Sequence, residues 1–327
     1  MKTCLLGLLA MLILSALPGL ASSEEKEAVI YEKGPFHMES VGGWLGVKKN
    51  LYGKVKVREA EGIPGMSPIQ RVLASVATGE IAFGVDSPDK ILLAREKEGL
   101  DLVALAVDFQ TSPMRIISWI PVTSSKEIRG NLGIWKGSEA IVKSAVGKNW
   151  EKQVSFQNQG DDIASWLSGT WPMASAMTYY ELILAQREVK KMGKKFYTID
   201  YRAVAVDWMD NVLFTTAEVI RKHPDMIQAI VTGRYKGFRW AFKNVKETVE
   251  FLGRDRPGDD AAREMDAADP TKALMITSDT KALGLGYVLP LKWENVARNM
   301  VRAGLLDGMP DVRKAYTERF PSGVLPR

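Results

Sequence analysis

The apolar positions between residues 67 and 119 alternate between helical spacing and short continuous runs. Apolar residues at i, i+3, i+4 and i+7 within 68–78 predict an amphipathic helix, and a second helix is predicted at 88–98. Each helix begins with a Ser-Pro dipeptide, which supplies an N-cap followed by a proline in the first turn. Continuous apolar runs at 81–85 and 102–107 are typical of buried parallel strands. The alternation indicates an α/β fold.

The same pattern, followed along the chain, predicts two α/β units and a helical C-terminal part. Residues 28–107 predict the order β-α-β-α-β-α-β, a series of right-handed crossovers around one sheet. Residues 126–199 repeat that order of elements without repeating its letters. Beyond residue 216 the spacing is mainly helical. The predicted fold class is therefore α/β, with mostly parallel sheets flanked by helices.

Polar and aromatic residues occupy the corners where a predicted strand passes into a predicted helix. Ligands bind at such corners in open α/β sheets, facing free N–H groups and the positive end of the helix dipole. Phe36 would stack on a flat ligand, whereas helix capping alone also explains Ser87 and an ordinary turn also explains 110–112. The candidates in the first unit are Phe36, Ser40, Asp86, Ser87, Gln110, Thr111 and Ser112.

The equivalent corners of the second unit supply a further set. Gly137 would let backbone N–H groups approach a carbonyl or anionic group, and Glu181 would accept from ring amino donors. Two alternatives stay open, because Glu181 also complements a helix dipole and Trp208 also fits a core position. The candidates in the second unit are Trp135, Gly137, Ser138, Tyr179, Tyr180, Glu181 and Trp208.

The N-terminus predicts export. Lys2 precedes an apolar run at 4–17, and Pro18-Gly19 and small residues follow it, which is the pattern of a secretory signal peptide. A membrane anchor is the alternative, but the run is short for a bilayer and no basic cluster follows it at once. We expect residues 1–23 to be removed and the mature protein to be periplasmic.

Cysteine and histidine usage excludes several chemistries. Cys4 is the single cysteine and lies in the predicted signal peptide, so a mature chain would have no disulfide, thiol nucleophile or cysteine-bound metal. His37 and His223 are far apart and show no metal-ligand spacing. We therefore expect no metal and no cofactor.

The net charge of +5 does not indicate a nucleic-acid partner, because the 44 basic and 39 acidic residues are interleaved along the chain. The densest basic cluster, at 190–195, fits a solvated helix end. We expect no binding to nucleic acid.

An ordered set of segments resembles the periplasmic substrate-binding proteins of ABC importers. The branch that the chain resembles most contains binders of thiamine pyrimidine precursors and of riboflavin, related to the sulfonate and nitrate binders. The segments that carry the resemblance are 79–85 (GEIAFGV), 92–95 (LLAR) with Gly99, 109–113 (FQTSP), 41–45 (VGGWL), 178–182 (TYYEL), Trp293, 304–306 (GLL) and 316–320 (YTERF).

The resemblance implies a type II periplasmic binding fold, in which two α/β lobes joined by two hinge strands close on a ligand. It places the hinges near 117–121 and 204–212. Lobe 1 would then comprise residues 24–118 and 208–327, including the C-terminal helices. Lobe 2 would comprise residues 119–207.

The resemblance also implies a function. The protein would be a monomer that captures a small molecule in the cleft and delivers it to an ABC permease in the membrane. A thiamine pyrimidine precursor or similar aromatic heterocycle is the expected ligand, with a riboflavin-like compound next and a sulfonate- or nitrate-like anion after that. No catalytic residue is implied.

Some positions depart from the pyrimidine binders. Ser40 stands about where their first loop carries an aromatic or imidazole ring, and Tyr180 replaces an asparagine, so the ligand does not transfer. An enzyme of pyrimidine synthesis is the first rival, and the missing cysteines argue against it. A ligand-sensing module that docks on a membrane receptor is the second rival.

Overall fold

The computed structural model of the chain describes residues 27–160 and 163–326, and the predicted signal peptide at 1–23 lies outside the described residues. The strands are β1 Glu27–Tyr31, β2 Lys56–Ala60, β3 Ile81–Asp86, β4 Leu102–Phe109, β5 Met114–Ser118, β6 Gly130–Ile134, β7 Val154–Asn158, β8 Met173–Met177, β9 Tyr197–Asp200 and β10 Asp210–Thr216. The helices are α1 Val41–Lys48, α2 Pro68–Ala77, α3 Pro88–Glu98, α4 Ala140–Val146, α5 Trp150–Gln153, α6 Ala164–Leu167, α7 Glu181–Lys191, α8 Ala217–Lys222, α9 Pro224–Lys243, α10 Val245–Asp255, α11 Ala261–Met275, α12 Ser278–Leu283 and α13 Pro290–Arg302.

The strands form two five-stranded sheets with the same internal plan. The first sheet has the order β2-β1-β3-β10-β4, and the second has the order β7-β6-β8-β5-β9. In each sheet the first three strands are parallel, and the fourth runs antiparallel to both of its neighbours. Four strands of each sheet therefore share one direction, which confirms the mostly parallel α/β fold.

The antiparallel strand of each sheet follows a passage of the chain from the other sheet. The chain leaves the first sheet at Phe109 and enters the second at Met114, and it returns between Asp200 and Asp210. The first crossing is thus 110–113, so residues 114–118, which were expected in lobe 1, belong to the second sheet. Spacing could not show this, because β5 pairs with strands more than fifty residues away in the sequence.

The predicted helix signals of the first unit are realised in part. Ser67 forms a capping box with Gln70, as its hydroxyl accepts from the Gln70 N–H and the Gln70 side chain accepts from the Ser67 N–H. Gly99 ends α3 in the left-handed conformation with φ of 69°. Ser87 occupies the N-cap position of α3, but its hydroxyl does not cap the helix.

Helix α9 packs on α1 through two glycines. A Cβ at Gly237 would collide with the carbonyl oxygen of Gly42, and a Cβ at Gly42 would collide with the ring of Phe238. This close approach fixes α9 against the first sheet. It also carries Arg234, three residues earlier, into the core.

Arg234 lies fully buried within a group of acidic side chains. Its Nη1 donates to Glu32 Oε1 at 2.6 Å, and its Nη2 donates to Asp108 Oδ2 at 2.6 Å. Tyr235 also donates to Asp108, at 2.8 Å. Glu59 lies beside this group, and burial raises the pKa of Glu59 to about 8. The four charged residues Glu32, Glu59, Asp108 and Arg234 are named the Arg234 cluster below.

No helix among residues 27–160 and 163–326 combines the length and the apolar character that crossing a bilayer requires.

Replacing Arg234 should destabilise the fold strongly. In Arg234→Met the carboxylates of Glu32 and Asp108 stay buried without their cation, and a broken buried pair typically costs about 3–5 kcal/mol. Urea unfolding of the variant would measure the loss in the free energy of unfolding. Lys236→Met, on the exposed side of the same helix, serves as the control. A loss below about 1 kcal/mol, the range of an exposed ion pair, would show that the cluster is not the stabilising interaction.

Candidate functional site

A cavity of about 510 Å³ lies between the two α/β units. The first unit contributes the loop after β1, the first turn of α3 and the segment 208–211. The second unit contributes the loop after β6 and the segment 177–181. Ser112 of the first crossing also lines the cavity. The cavity thus occupies the strand ends at which the sequence predicts a ligand site.

Nine of the fourteen predicted site residues line this cavity. They come from both units and from the first crossing, so the structure brings together side chains that are up to 168 positions apart. That these residues contact a ligand stays a prediction. The nine are Ser40, Ser87, Ser112, Trp135, Ser138, Tyr179, Tyr180, Glu181 and Trp208.

Two predicted residues act within the protein rather than in the cavity. Asp86 is buried, and its Oδ1 accepts from the Ser87 N–H at 2.9 Å and from Lys90 Nζ at 3.0 Å. Gln110 is also buried, and its side-chain amide donates to the carbonyl oxygens of Val107 and Tyr287. Asp86 therefore orients the start of α3, and Gln110 braces the first crossing.

Three further predicted residues lie outside the cavity. Phe36 packs partly buried against the hydrophobic core of the first unit. Thr111 lines a separate groove beside α7 and α11. Gly137 has φ of +84°, and its N–H donates to the exposed Glu139 carboxylate. Neither the residue type nor the position in a loop indicates whether such a residue faces the cavity or points away from it.

Aromatic side chains form much of the cavity wall. The Tyr179 ring lies 5.8 Å from the Phe109 ring, so this contact joins the second unit to the end of β4. The Tyr180 ring lies 5.7 Å from the His37 ring, and the Arg263 guanidinium lies 4.0 Å from the Tyr180 centroid. Such pairs hold the rings in fixed orientations, which suits stacking on a flat ligand.

The two tryptophans of the wall are held by their indole N–H groups. Trp135 donates to the Gly160 carbonyl at 3.2 Å and is half-buried. Trp208 donates to Asn299 Oδ1 at 3.2 Å and is almost entirely buried. Trp208 thus belongs both to the core and to the cavity wall, so the two interpretations of this residue are compatible.

Glu181 lies in the first turn of α7 and is buried. Its Oε2 accepts from the Met177 N–H at 2.9 Å. This bond ties the helix start to the end of β8 and places a carboxylate at the positive end of the helix dipole. Both the structural and the cavity-lining interpretation of Glu181 therefore fit.

The carboxyl groups of Glu39 and Asp89 also line the cavity. Burial raises the pKa of Glu39 to about 7, and the charges of Glu264 and Glu32 act in the same direction while His37 opposes them. Burial also raises the pKa of Asp89 to about 6, against the charge of Lys90 and a hydrogen bond from Ser87. In the sequence an acidic residue beside a helix start looks the same whether it complements the dipole or faces a cavity.

The basic side chains of the lining are held by carboxylates. Lys33 Nζ lies 2.9 Å from Asp210 Oδ1, and Lys90 Nζ lies 3.0 Å from Asp86 Oδ1. Arg256 pairs with Glu61 and Asp259 at 2.6 Å and 2.7 Å. These pairs leave each of the three cations with at least one protein counter-charge.

His37 joins the cavity lining to α11. Its Nδ1 lies 2.9 Å from Glu264 Oε1. Burial would lower the pKa of His37, but the hydrogen bond to Glu264 and the charges of Glu39 and Glu264 outweigh it, so the pKa is raised. The carboxylates of Glu264 and Glu39 thus favour the protonated form of His37. Within the described residues, no group of His, Cys, Asp and Glu side chains could hold a metal ion.

Solved structures with this arrangement include periplasmic binding proteins and an enzyme. The periplasmic aliphatic sulphonate binding protein SsuA of Escherichia coli superposes with a TM-score of 0.61 at 15% identity, over 89% of this chain and 92% of SsuA. The desulfurization enzyme DSZB superposes with a TM-score of 0.53 at 12% identity, over 90% of this chain and 98% of the enzyme. The fold is therefore that of the periplasmic binding proteins.

Sequence comparison assigns the chain to a protein family. Residues 63–248 match the protein family described as NMT1/THI5 like, and the chain belongs to that family. The chain is also 22% identical over 263 residues to the riboflavin-binding protein RibY of Chloroflexus aurantiacus, which covers 76% of this chain and 73% of RibY. Both results confirm the resemblance that the sequence segments indicate.

Replacing Asp89 should stabilise the protein at neutral pH. The raised pKa means that ionising Asp89 costs free energy in the folded state, and this cost is absent below about pH 3.8 and complete above about pH 6. We expect Asp89→Asn to raise the free energy of unfolding by about 2–3 kcal/mol at pH 8, since one pKa unit corresponds to ~1.4 kcal/mol. The gain should vanish near pH 3.5.

Urea unfolding at several pH values measures this difference. Glu96→Gln removes a charge from an exposed position of the same helix and is the matched control. A gain that is independent of pH, or one shared by the control, would contradict the assignment of the cost to buried Asp89.

Proposed function

We propose that this protein is a periplasmic substrate-binding protein that delivers a small molecule to an ABC permease. The observation that carries the proposal is the cavity between two α/β units, with aromatic walls and a few oriented polar groups. Such cavities bind small molecules by burying most of their surface. The first crossing contains Ser112, which lines the cavity, and it follows Phe109, which contacts Tyr179. A closing movement of the two units about this crossing would therefore move side chains that line the cavity.

The proposed lobes follow the two sheets. Lobe 1 holds the first sheet with the C-terminal helices, and lobe 2 holds the second sheet, with the hinges at 110–113 and 201–209. Arg187 of α7 reaches across the cleft to Asp260 and Asp266 at 2.7 Å and 2.8 Å. The proposed protein acts as a monomer, and residues 1–23 direct its export.

A thiamine pyrimidine precursor or similar aromatic heterocycle is the proposed ligand class. The ring walls of Tyr180, Trp135 and Trp208 suit a flat molecule, and carboxylates at the wall accept from ring amino groups. The similarity to a riboflavin-binding protein supports a heterocycle as well. A sulfonate is the second candidate, because SsuA shares the fold.

Catalysis is not part of the proposal, although an enzyme shares the fold. Cys4, in the predicted signal peptide, is the single cysteine of the sequence, so the mature protein would have no thiol nucleophile. Binding and release of a ligand require no covalent step from the lining residues described above.

Isothermal titration of the mature protein should detect binding of a ring compound. The probes are the hydroxymethyl aminopyrimidine of thiamine, riboflavin and methanesulfonate. We expect the aminopyrimidine to bind, and Trp135→Leu to weaken its binding about tenfold, because a lost stacking contact removes about 1 kcal/mol or more.

Trp150→Leu is the matched control, since this tryptophan is half-buried in the second unit but lies outside the cavity lining. Equal losses in both variants would assign the effect to stability rather than to contact. Absence of binding for all three probes would contradict the proposed binding role.

A further inference from the structure

We propose that the ligand of this cavity is a positively charged nitrogen compound and that Glu39 and Asp89 recognise its charge. This inference rests on the proposed binding function and narrows it to one charge class. Both carboxyl groups line the cavity from the first unit. Glu39 lies just before α1, and Asp89 lies in the first turn of α3.

The charges of the cavity lining are unbalanced. Six acidic residues line it, namely Glu32, Glu39, Asp89, Glu181, Asp210 and Asp259, against three residues that are Lys or Arg and one histidine. An unbalanced charge in a partly dry cavity favours a ligand of the opposite sign, because the interaction is stronger there than in water.

The three basic residues of the lining are already paired with carboxylates, so they are less available to an anionic ligand. Lys33 and Lys90 are paired with Asp210 and Asp86, and Arg256 is paired with two carboxylates. An anion would have to compete with these carboxylates for each cation. A sulfonate is therefore a poor match for this cavity, even though a protein of similar fold binds sulfonates.

Glu39 and Asp89 differ from three other acidic residues of the lining, Glu32, Asp210 and Asp259, which are paired with a lysine or arginine. Among residues 27–160 and 163–326, neither forms an ion pair with a lysine or arginine, whereas Asp210 and Asp259 do. Asp89 is 4% exposed and has a hydrogen bond from Ser87. A buried carboxylate without a cation is costly unless a partner supplies the charge, and a cationic ligand would supply it.

The carboxyls of Glu39 and Asp89 lie among other charged side chains. Glu39 faces His37, Glu264 and Glu32. His37 and Arg263 are both paired with Glu264, at 2.9 Å each, so neither is committed to the Glu39 carboxyl. Beneath it, the single guanidinium of Arg234 is shared among the carboxyls of its cluster.

Asp89 faces Lys90, Asp210 and Asp86. Lys90 is the one cation of this group and already lies against Asp86. Tyr180 and Trp208 add aromatic surface to the same cavity wall.

Binding of a cation should release protons at mildly acidic pH. The free protein holds Glu39 and Asp89 partly protonated there, and an adjacent cation favours their ionised forms. Affinity should therefore rise with pH, whereas binding of an anion to the same groups would take up protons.

Thiamine is the probe, because its thiazolium charge does not titrate between pH 6 and pH 8. Isothermal titration in buffers of different ionisation enthalpy counts the protons. We expect release of protons near pH 6 and about tenfold tighter binding at pH 8, as expected for a carboxylate that must ionise. Riboflavin and methanesulfonate serve as the uncharged and anionic probes and should bind more weakly.

Glu39→Gln and Asp89→Asn should each weaken thiamine binding about tenfold at pH 8, because each removes a negative charge that attracts the thiazolium, and should reduce the pH dependence. Glu96→Gln, on the exposed side of α3, should leave both unchanged. Because Asp89→Asn is expected to be more stable than the parent, its loss of binding would not reflect unfolding.

Two outcomes overturn the inference. Tighter binding of methanesulfonate or riboflavin than of thiamine, or proton uptake on binding, would reject the cationic ligand and leave the proposed binding role intact. Absence of binding for all three charge classes would reject the inference together with that role.

Discussion

The guanidinium of Arg234 determines which charges the core of the first unit can hold. It is completely buried and joins Glu32, at the end of β1, to Asp108, at the end of β4. A cation in this position offsets carboxylates that would otherwise be too costly to bury. It can reach them because Gly42 and Gly237 let α9 approach α1 closely. The packing of two helices thus fixes the position of a charge.

The same cluster connects the core with the cavity and with the first crossing. Glu32 belongs to the cavity wall, and Asp108 stands immediately before Phe109, after which the chain leaves the first sheet. Phe109 in turn packs on Tyr179 of the second unit. A movement of the two units about 110–113 would therefore act on side chains that also line the cavity. This continuity is what a protein that closes on its ligand requires.

Much of the fold follows from local chemistry, but the sheet membership of single strands does not. The helix at Pro68–Ala77 begins with a capping box, and its apolar stripe is legible in the sequence. By contrast, Met114–Ser118 has the composition of any buried strand. Its assignment to the second sheet depends on partners such as Met173–Met177, far along the chain. Periodicity reports which residues are buried, whereas sheet pairing is decided by tertiary contacts.

For the candidate site too, some residues can be predicted from the local sequence, whereas others depend on tertiary contacts. Residues at strand ends, such as Tyr180 and Ser138, could be predicted because parallel sheets place ligands there. Asp86 is equally well placed along the chain but is turned into the protein by Lys90 and the Ser87 N–H.

Glu39 and Asp89 lie near helix starts, where the sequence alone allows a solvent-exposed, a dipole-complementing or a cavity-facing carboxyl. Only the fold reveals that Asp89 is buried and Glu39 partly buried at a cavity wall, with raised pKa values. Without a ligand, replacing either carboxyl by a neutral group would stabilise the fold, because burial at the cavity wall disfavours the ionised form. A cationic ligand reverses this preference when it binds, so groups that weaken the empty protein would strengthen the complex. Functional sites commonly carry such a local cost in stability.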